Sequence, residues 1–337
     1  MRSLRSDNMR IYRSLSIFAI LILLTAVAVA MNKEEEGGKL IARAVEISNI
    51  RAPGAPAFRV KATFQASNGR PADQGTYSEI WASREQWRRE TGIAAFRRIE
   101  VGGRRKKWIL DNSESVPSGV LTVLRALNWD GMSASKLKIE RVENKTLGGV
   151  RARCIEAKSD FSKEVYCVDP EDNTLLVHES LSKNSHDSYV YRDYKKFGDR
   201  LFPWSVQYRR EGQAEVEITV SELTSEPSPE PSQFAPLSGA LELTNCALKE
   251  ITPPRQEWAP EPNFPSAEHS HNALVVLGMI VGSDGMTHHV QIARSGGTAF
   301  DMEAMRAVVR WRFKPAACSG EAVATEVSVE ISFRRNF

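Results

Sequence analysis

Little in this sequence is equipped for catalysis. Its 337 residues include only six histidines and four cysteines. It has no C-x-x-C pair, no G-x-S-x-G elbow and no glycine run with phosphate-loop spacing. These absences remove the usual signatures of zinc ribbons, thiol redox centres, serine hydrolases and nucleotide-binding enzymes, so no enzyme and no cofactor is expected. A surplus of one charge is also missing: 45 Lys and Arg stand against 42 Asp and Glu, a net charge of +3. Signs are interspersed along the chain, which argues against nucleic acid as a partner. The composition, 42% hydrophobic and 26% charged, is that of a folded chain. The length suggests two domains with additions.

What is present begins with an exported N-terminus. Arg2, Arg5, Arg10 and Arg13 form a basic region, followed by the uncharged run LSIFAILILLTAVAVAM. Ala28 to Ala30 would suit a small-residue cleavage site, and the run is nearly long enough to span a bilayer. Residues 1–31 thus read as a signal peptide or a membrane anchor, and either places the remainder outside the cytoplasm. No Cys follows the run, so a lipoprotein anchor is not indicated. In an oxidising compartment four cysteines read as two disulfides. Cys154 and Cys167 flank two short strands, and counting inward pairs Ile155 with Tyr166 and Glu156 with Val165. This places the two sulfurs face to face. Cys246 and Cys318 then form the second pair.

After a charged spacer, NKEEEGG, residues 39–224 are rich in short strand patterns. AFRVKATFQA puts Phe58, Val60, Ala62 and Phe64 on one face, and GTYSEIWAS sets Tyr77, Glu79 and Trp81 opposite Ser78 and Ile80. Similar runs continue to about Leu223 and predict one large curved antiparallel sheet. One helix is predicted over 118–128 from Val120, Leu121, Leu124 and Leu127. Four prolines, Pro227, Pro229, Pro231 and Pro236, make 225–261 a linker or an extended strap. Residues 262–337 then read β-β-α-β, a small sheet with one helix on it.

Other candidate chemistry gives way to bland readings. His269, His271, His288 and His289 would be enough for a metal. Yet adjacent His288 and His289 point to opposite faces of a strand, so they read as surface residues and no metal is expected. VGGRRKKW (Val101 to Trp108) concentrates cations, but a hairpin turn whose lysines protect a sheet edge explains it. Asn144-Lys145-Thr146 fits a glycosylation sequon, which matters only in a eukaryotic secretory context. In the helix predicted near the C-terminus, Thr298 and Asp301 have capping-box spacing. Phe300, Ala304, Val308 and Trp311 would face the sheet, while Glu303, Arg306 and Arg310 face solvent.

One stretch carries a resemblance. From Val275 to Phe333 a G-S-D-G turn, VQIARSGG, FDMEAMRAVVRWRFKPA and a final V-x-V-x-I-x-F strand resemble the C-terminal domain of the TonB family. PNFPSAE (Pro262 to Glu268) is similar to the family's P-x-Y-P-x-x-A lead-in, with Phe264 in place of Tyr. The resemblance implies a periplasmic α+β domain that meets outer-membrane or other envelope proteins by adding a partner's strand to its own sheet edge. The edge would be the last strand, through Thr325, Glu326, Val327, Ser328, Val329, Glu330 and Ile331. Val323, Val327, Val329, Ile331 and Phe333 would meet the helix, leaving Ala324, Glu326, Ser328, Glu330 and Ser332 solvated. The layout of 39–224 resembles the LolA-type half-barrel, which implies a concave face able to hold lipid or another apolar ligand. The fold class is therefore α+β: an N-terminal curved antiparallel half-barrel with a helix, then a small TonB-like β-β-α-β domain. Two functions follow, an envelope protein gripping partners by strand addition, with energy-coupled outer-membrane transport as its finer form, or a periplasmic carrier of an apolar ligand.

Overall fold

The computed structural model describes residues 33–66, 74–103, 105–113, 116, 126, 137–160, 162–182, 185–210, 215–247, 249–266 and 272–334. The export segment at 1–31 lies outside these residues, as do His269 and His271. So does the helix expected over 118–128, except Ala126, which is helical and buried. Among the described residues no helix is long and apolar enough to cross a membrane.

The first element corrects the spacer reading: residues 33–48 form a helix, α1. Its apolar stripe is short and built from small residues, which hides it in the sequence. Gly37, Ile41, Ala44 and Ser48 recur at helical spacing and are buried. Gly37 is needed for close approach, since a Cβ there would lie 2.8 Å from a methyl of Ile139. The charges lie outward, with Lys39 on Glu35 and Arg43 on Glu46 one turn away.

Twelve strands follow, with β1 and β12 the clearest in apolar and polar alternation: β1 (Phe58–Ala66), β2 (Gln74–Ser83), β3 (Gln86–Ile93), β4 (Phe96–Gly102), β5 (Lys106–Asp111), β6 (Lys138–Leu147), β7 (Val150–Lys158), β8 (Ser162–Val168), β9 (Leu175–Ser182), β10 (His186–Phe197), β11 (Arg200–Arg210) and β12 (Val216–Ser225). The Pro-rich segment contributes β13 (Leu241–Thr244) to the same sheet, antiparallel to β5. The order is β13-β5-β4-β3-β2-β1-β12-β11-β10-β9-β8-β7-β6, an open sheet ending at β13 and β6. Its inner face holds the main core, in which Phe58, Val60, Ala62 and Phe64 of β1 meet Ile41, Ile50, Tyr191 and Tyr208. Burying such side chains contributes roughly 1.5–3 kcal/mol each.

The rest of the chain forms three smaller sheets. β14 (Ile251–Thr252), β19 (Ala316–Cys318) and β20 (Glu321–Val323) make one, and β15 (Arg255–Trp258) pairs with β18 (Arg312–Lys314) in another. The third runs β17-β16-β21, from β16 (Asn272–Val281), β17 (Thr287–Arg294) and β21 (Thr325–Arg334). Helix α2 (Thr298–Val308) covers one face of it, with Phe300, Ala304 and Val308 against Val275, Leu277, Ile331 and Phe333. The G-S-D-G turn depends on Gly285. Its φ is +78°, and a Cβ would fall 2.1 Å from the Phe313 carbonyl oxygen.

Candidate functional site

Strand register shows what occupies the concave face of the large sheet. A lateral row runs Val142–Ile155–Tyr166–His178–Tyr189–Tyr208–Val216 across β6 to β12. Helix α1 lies over the Val142 and Ile155 end, held also by Arg153, whose guanidinium donates to Glu36. Farther along, the rings of Tyr166, His178 and Tyr189 stack nearly parallel, with centroids 4.5 and 5.6 Å apart. The next row holds Glu164, which accepts bonds from Ser162 and Ser180 and lies 2.8 Å from His178 Nε2. The carboxylate is thereby held below its ordinary range although burial opposes this, with His178 the largest lowering influence.

At the centre, Glu79 of β2 is fully buried. Arg51, just beyond α1, and Arg89 of β3 both pair with its carboxylate, and Tyr77 donates to it at 3.0 Å. Burial alone would raise its pKa, but the two guanidiniums hold it down to about 2. Two cations around one carboxylate make this a saturated structural centre. The sequence put Glu79 on the same face as Tyr77 and Trp81, so the signal was a carboxylate in a buried register. Its partners, 28 residues upstream and one strand across, were not visible.

The other wing of the sheet meets the C-terminal domain through β5 and β13. The side chain of Asp111 in β5 is covered, takes two bonds from Arg98 at 2.8 and 2.7 Å, and lies 2.5 Å from His289 Nδ1 of β17. Burial opposes ionisation of Asp111, yet Arg98 and then His289 lower its pKa. Beside this centre, Ile109, Leu243, Ile280 and Ala324 form a small apolar cluster, and Lys107 reaches Glu326 at 3.2 Å. Three expectations are corrected here. His289 has a φ of +51° beside a register shift, so it does not follow strand alternation with His288; its ring bonds Asp111, whereas Asp284 only lies near His288 Nε2, at 3.5 Å. Ala324 is buried rather than solvated, because Leu243 forms a parallel bridge to it. The lysines of VGGRRKKW do not guard an edge, because β13 covers β5 and Lys106 pairs with Glu242 at 2.6 Å.

Beyond these contacts β21 is an edge. Its ten residues pair with β16 from Thr325↔Val281 to Arg334↔Asn272, and no strand among the described residues lies on its other side except the bridge at Ala324. The alternation is the expected one. Thr325, Val327 and Val329 are half-buried and Ile331 is buried, whereas Glu326, Ser328 and Glu330 are exposed. Phe264 of the lead-in packs edge-on against Phe300 and lies close to Phe333, so the aromatic substitution there keeps a core contact. The capping box is not formed. Gly297 is the N-cap residue, Thr298 opens the helix, and the Asp301 carboxylate instead accepts from Ser295 Oγ and the Gly296 amide, at 2.6 and 2.9 Å. Glycine at that cap lets the chain enter with a φ of +117°, and Asp301 ties down the incoming loop. Of the residues expected to face solvent, Arg306 and Arg310 are exposed, whereas Glu303, paired with Arg306, is mostly covered.

Both disulfides are present, Cys154–Cys167 across β7 and β8 and Cys246–Cys318 between the strap and β19. The one cluster of potential metal ligands among the described residues is Cys246, Glu250 and Cys318. Both of its sulfurs are consumed by the disulfide.

Comparison with known proteins gives one match to a family model. Residues 260–334 match the family described as Gram-negative bacterial TonB protein C-terminal. No curated protein matches the chain as a whole. Among solved structures, a putative outer membrane lipoprotein-sorting protein domain from Vibrio parahaemolyticus is 12% identical, with a TM-score of 0.44, covering 60% of this chain and 97% of that one. A LolA superfamily protein from Nitrosomonas europaea is 14% identical, with a TM-score of 0.41 and coverage of 58% and 95%. A DUF1329 family protein from Desulfovibrio piger is 12% identical, with a TM-score of 0.45 and coverage of 60% and 97%. The segment that carries the exposed edge, residues 260–334, is thus the part of this chain that is similar to the TonB protein C-terminal family.

Proposed function

We propose that this protein works in the cell envelope by binding, gripping an extended segment of a partner through strand addition along β21. The observation that carries the reading is a ten-residue edge strand paired on one side only, within a domain of the TonB C-terminal family. Backbone groups along such an edge supply affinity, and the alternating side chains supply selectivity. The basic-then-apolar N-terminus and the two disulfides favour an oxidising, extracytoplasmic setting. In the finer form of this reading the partner is an outer-membrane protein and the chain takes part in energy-coupled transport. The large sheet then acts as a platform, fastened to the C-terminal domain through Asp111, β13 and the Cys246–Cys318 bond. In this reading the protein is a binder rather than an enzyme, which is supported by the arginines that already engage the carboxylates of Glu79 and Asp111.

The carrier reading takes second place. A carrier needs an open apolar hollow, and the described concave face is packed by α1, by residues 50 and 51 and by the C-terminal domain. Its supporting observation is the half-covered ring row around His178 and Tyr189. Site-specific photo-cross-linking from Ser328 and Ser332 in cells tests the first reading. Capture of one envelope protein from these positions, and not from Arg151 on the large sheet, is expected. Cross-linking to lipid from Tyr189 with nothing captured along β21 would reverse the ranking.

A further inference from the structure

The charge pattern of β21 specifies the kind of strand it accepts, an inference that rests on the strand-addition reading. On the exposed face the edge presents Glu326, Ser328, Glu330, Ser332 and Arg334. Glu326 lies next to Lys107, and Ala324 just before it is bridged to β13, so the large sheet blocks that end. The usable stretch is therefore Val327 to Arg334. Within it Glu330 is the one carboxylate, and no ion pair to it is found among the described residues. On the opposite face, Val327 and Val329 lie at the open margin of the core beside α2, half-buried. A strand laid alongside would complete their burial.

We propose that the partner of β21 is an amphipathic extended segment with a Lys or Arg opposite Glu330 and apolar residues opposite Val329 and Ile331. Opposite charges directly across two strands attract and like charges repel, each by about 0.2–1 kcal/mol relative to neutral pairs. A cation at this position therefore favours the partner, and an anion excludes competitors. A second copy of the chain fits less well. Antiparallel pairing of Val327 to Phe333 around a two-fold axis at Glu330 sets Glu330 against Glu330 of the copy.

The test uses the full chain and two short synthetic peptides of alternating Val and Thr, identical except for Lys or Glu at the central Thr-face position. Fluorescence anisotropy at low ionic strength is expected to give about three- to tenfold tighter binding of the Lys peptide. High salt should narrow the difference, and Glu330→Lys should reverse the order. Equal affinities, or an order that Glu330→Lys leaves unchanged, would overturn the charge rule while strand addition stands. If neither peptide binds and neither slows amide exchange in β21, strand addition by this edge fails together with the rule. A concentration-dependent dimer that Glu330→Lys abolishes would identify the occupant as a second copy and overturn the proposal.

Discussion

Among the described residues, the two ten-residue strands at sheet edges, β6 and β21, are managed differently. β6 closes the large sheet with Lys138, Glu140, Arg141, Glu143 and Lys145, and its charges are taken up close by. Glu140 pairs with Lys158 at 2.5 Å, and Lys145 with Glu143 at 2.7 Å. Charges on both faces of an edge deter other strands. β21 has the same length but one clean polar face, one half-buried apolar face and a carboxylate, Glu330, without such a partner. The same contrast separates the interiors. The large sheet engages Glu79 and Asp111 with arginines and Glu164 with His178 and two serines, whereas the small sheet leaves Glu330 exposed. One sheet is built to stay as it is, and the other has a side left to fill.

The comparison breaks most severely at Glu79. Glu79→Leu leaves Arg51 and Arg89 buried without a counter-charge and should cost about 3–5 kcal/mol in urea unfolding. Loss of under about 1 kcal/mol would show that the centre is not closed. The wild type should also be acid-sensitive through this residue. Its folded pKa of about 2 lies below the ordinary 4.5, so its stabilisation is complete above about 4.5 and is lost as pH falls toward 2. Glu79→Gln should flatten the stability profile over that window.

Next in size is the staple between the halves. Removing Cys246–Cys318 by paired serine substitution should cost about 3–5 kcal/mol, more than removing Cys154–Cys167, because the loop closed is 72 residues rather than 13. Thermal melts under matched conditions measure the order, and an inverted order would contradict the loop-entropy account. Asp111→Asn should cost about 2–4 kcal/mol by weakening the Arg98 and His289 contacts. Hydrogen exchange should then rise in β5 and β17 together. A rise in only one would mean that this centre does not couple the halves. Gly285→Ala should have the smallest effect, about 1–3 kcal/mol, centred on the β16–β17 turn and the Phe313 backbone beside it.

Much of this fold could be read in advance where periodicity was strong. The alternation of Phe58 to Phe64, the pairing of Cys154 with Cys167 and the two faces of β21 all follow from a period of two. Harder to see were elements stabilised from outside themselves. α1 presents small residues to the sheet, β13 is a short strand in a Pro-rich strap, and β6 is so charged that it does not read as a strand. The capping box failed because glycine at 297 allowed the helix to begin one residue earlier in register. At the candidate site, the edge was legible through its resemblance and its pattern. Its limit at Ala324 was not, since that depends on Leu243, 81 residues upstream, folding back beside it.

The central claim is that β21, and not the better-defended β6, receives the partner. Hydrogen–deuterium exchange on the full chain with and without the envelope protein captured by cross-linking tests it most directly. Slowed exchange concentrated between Val327 and Arg334, with Lys138 to Leu147 unchanged, is the predicted result. Protection along β6, or around His178 with β21 unaffected, would contradict it.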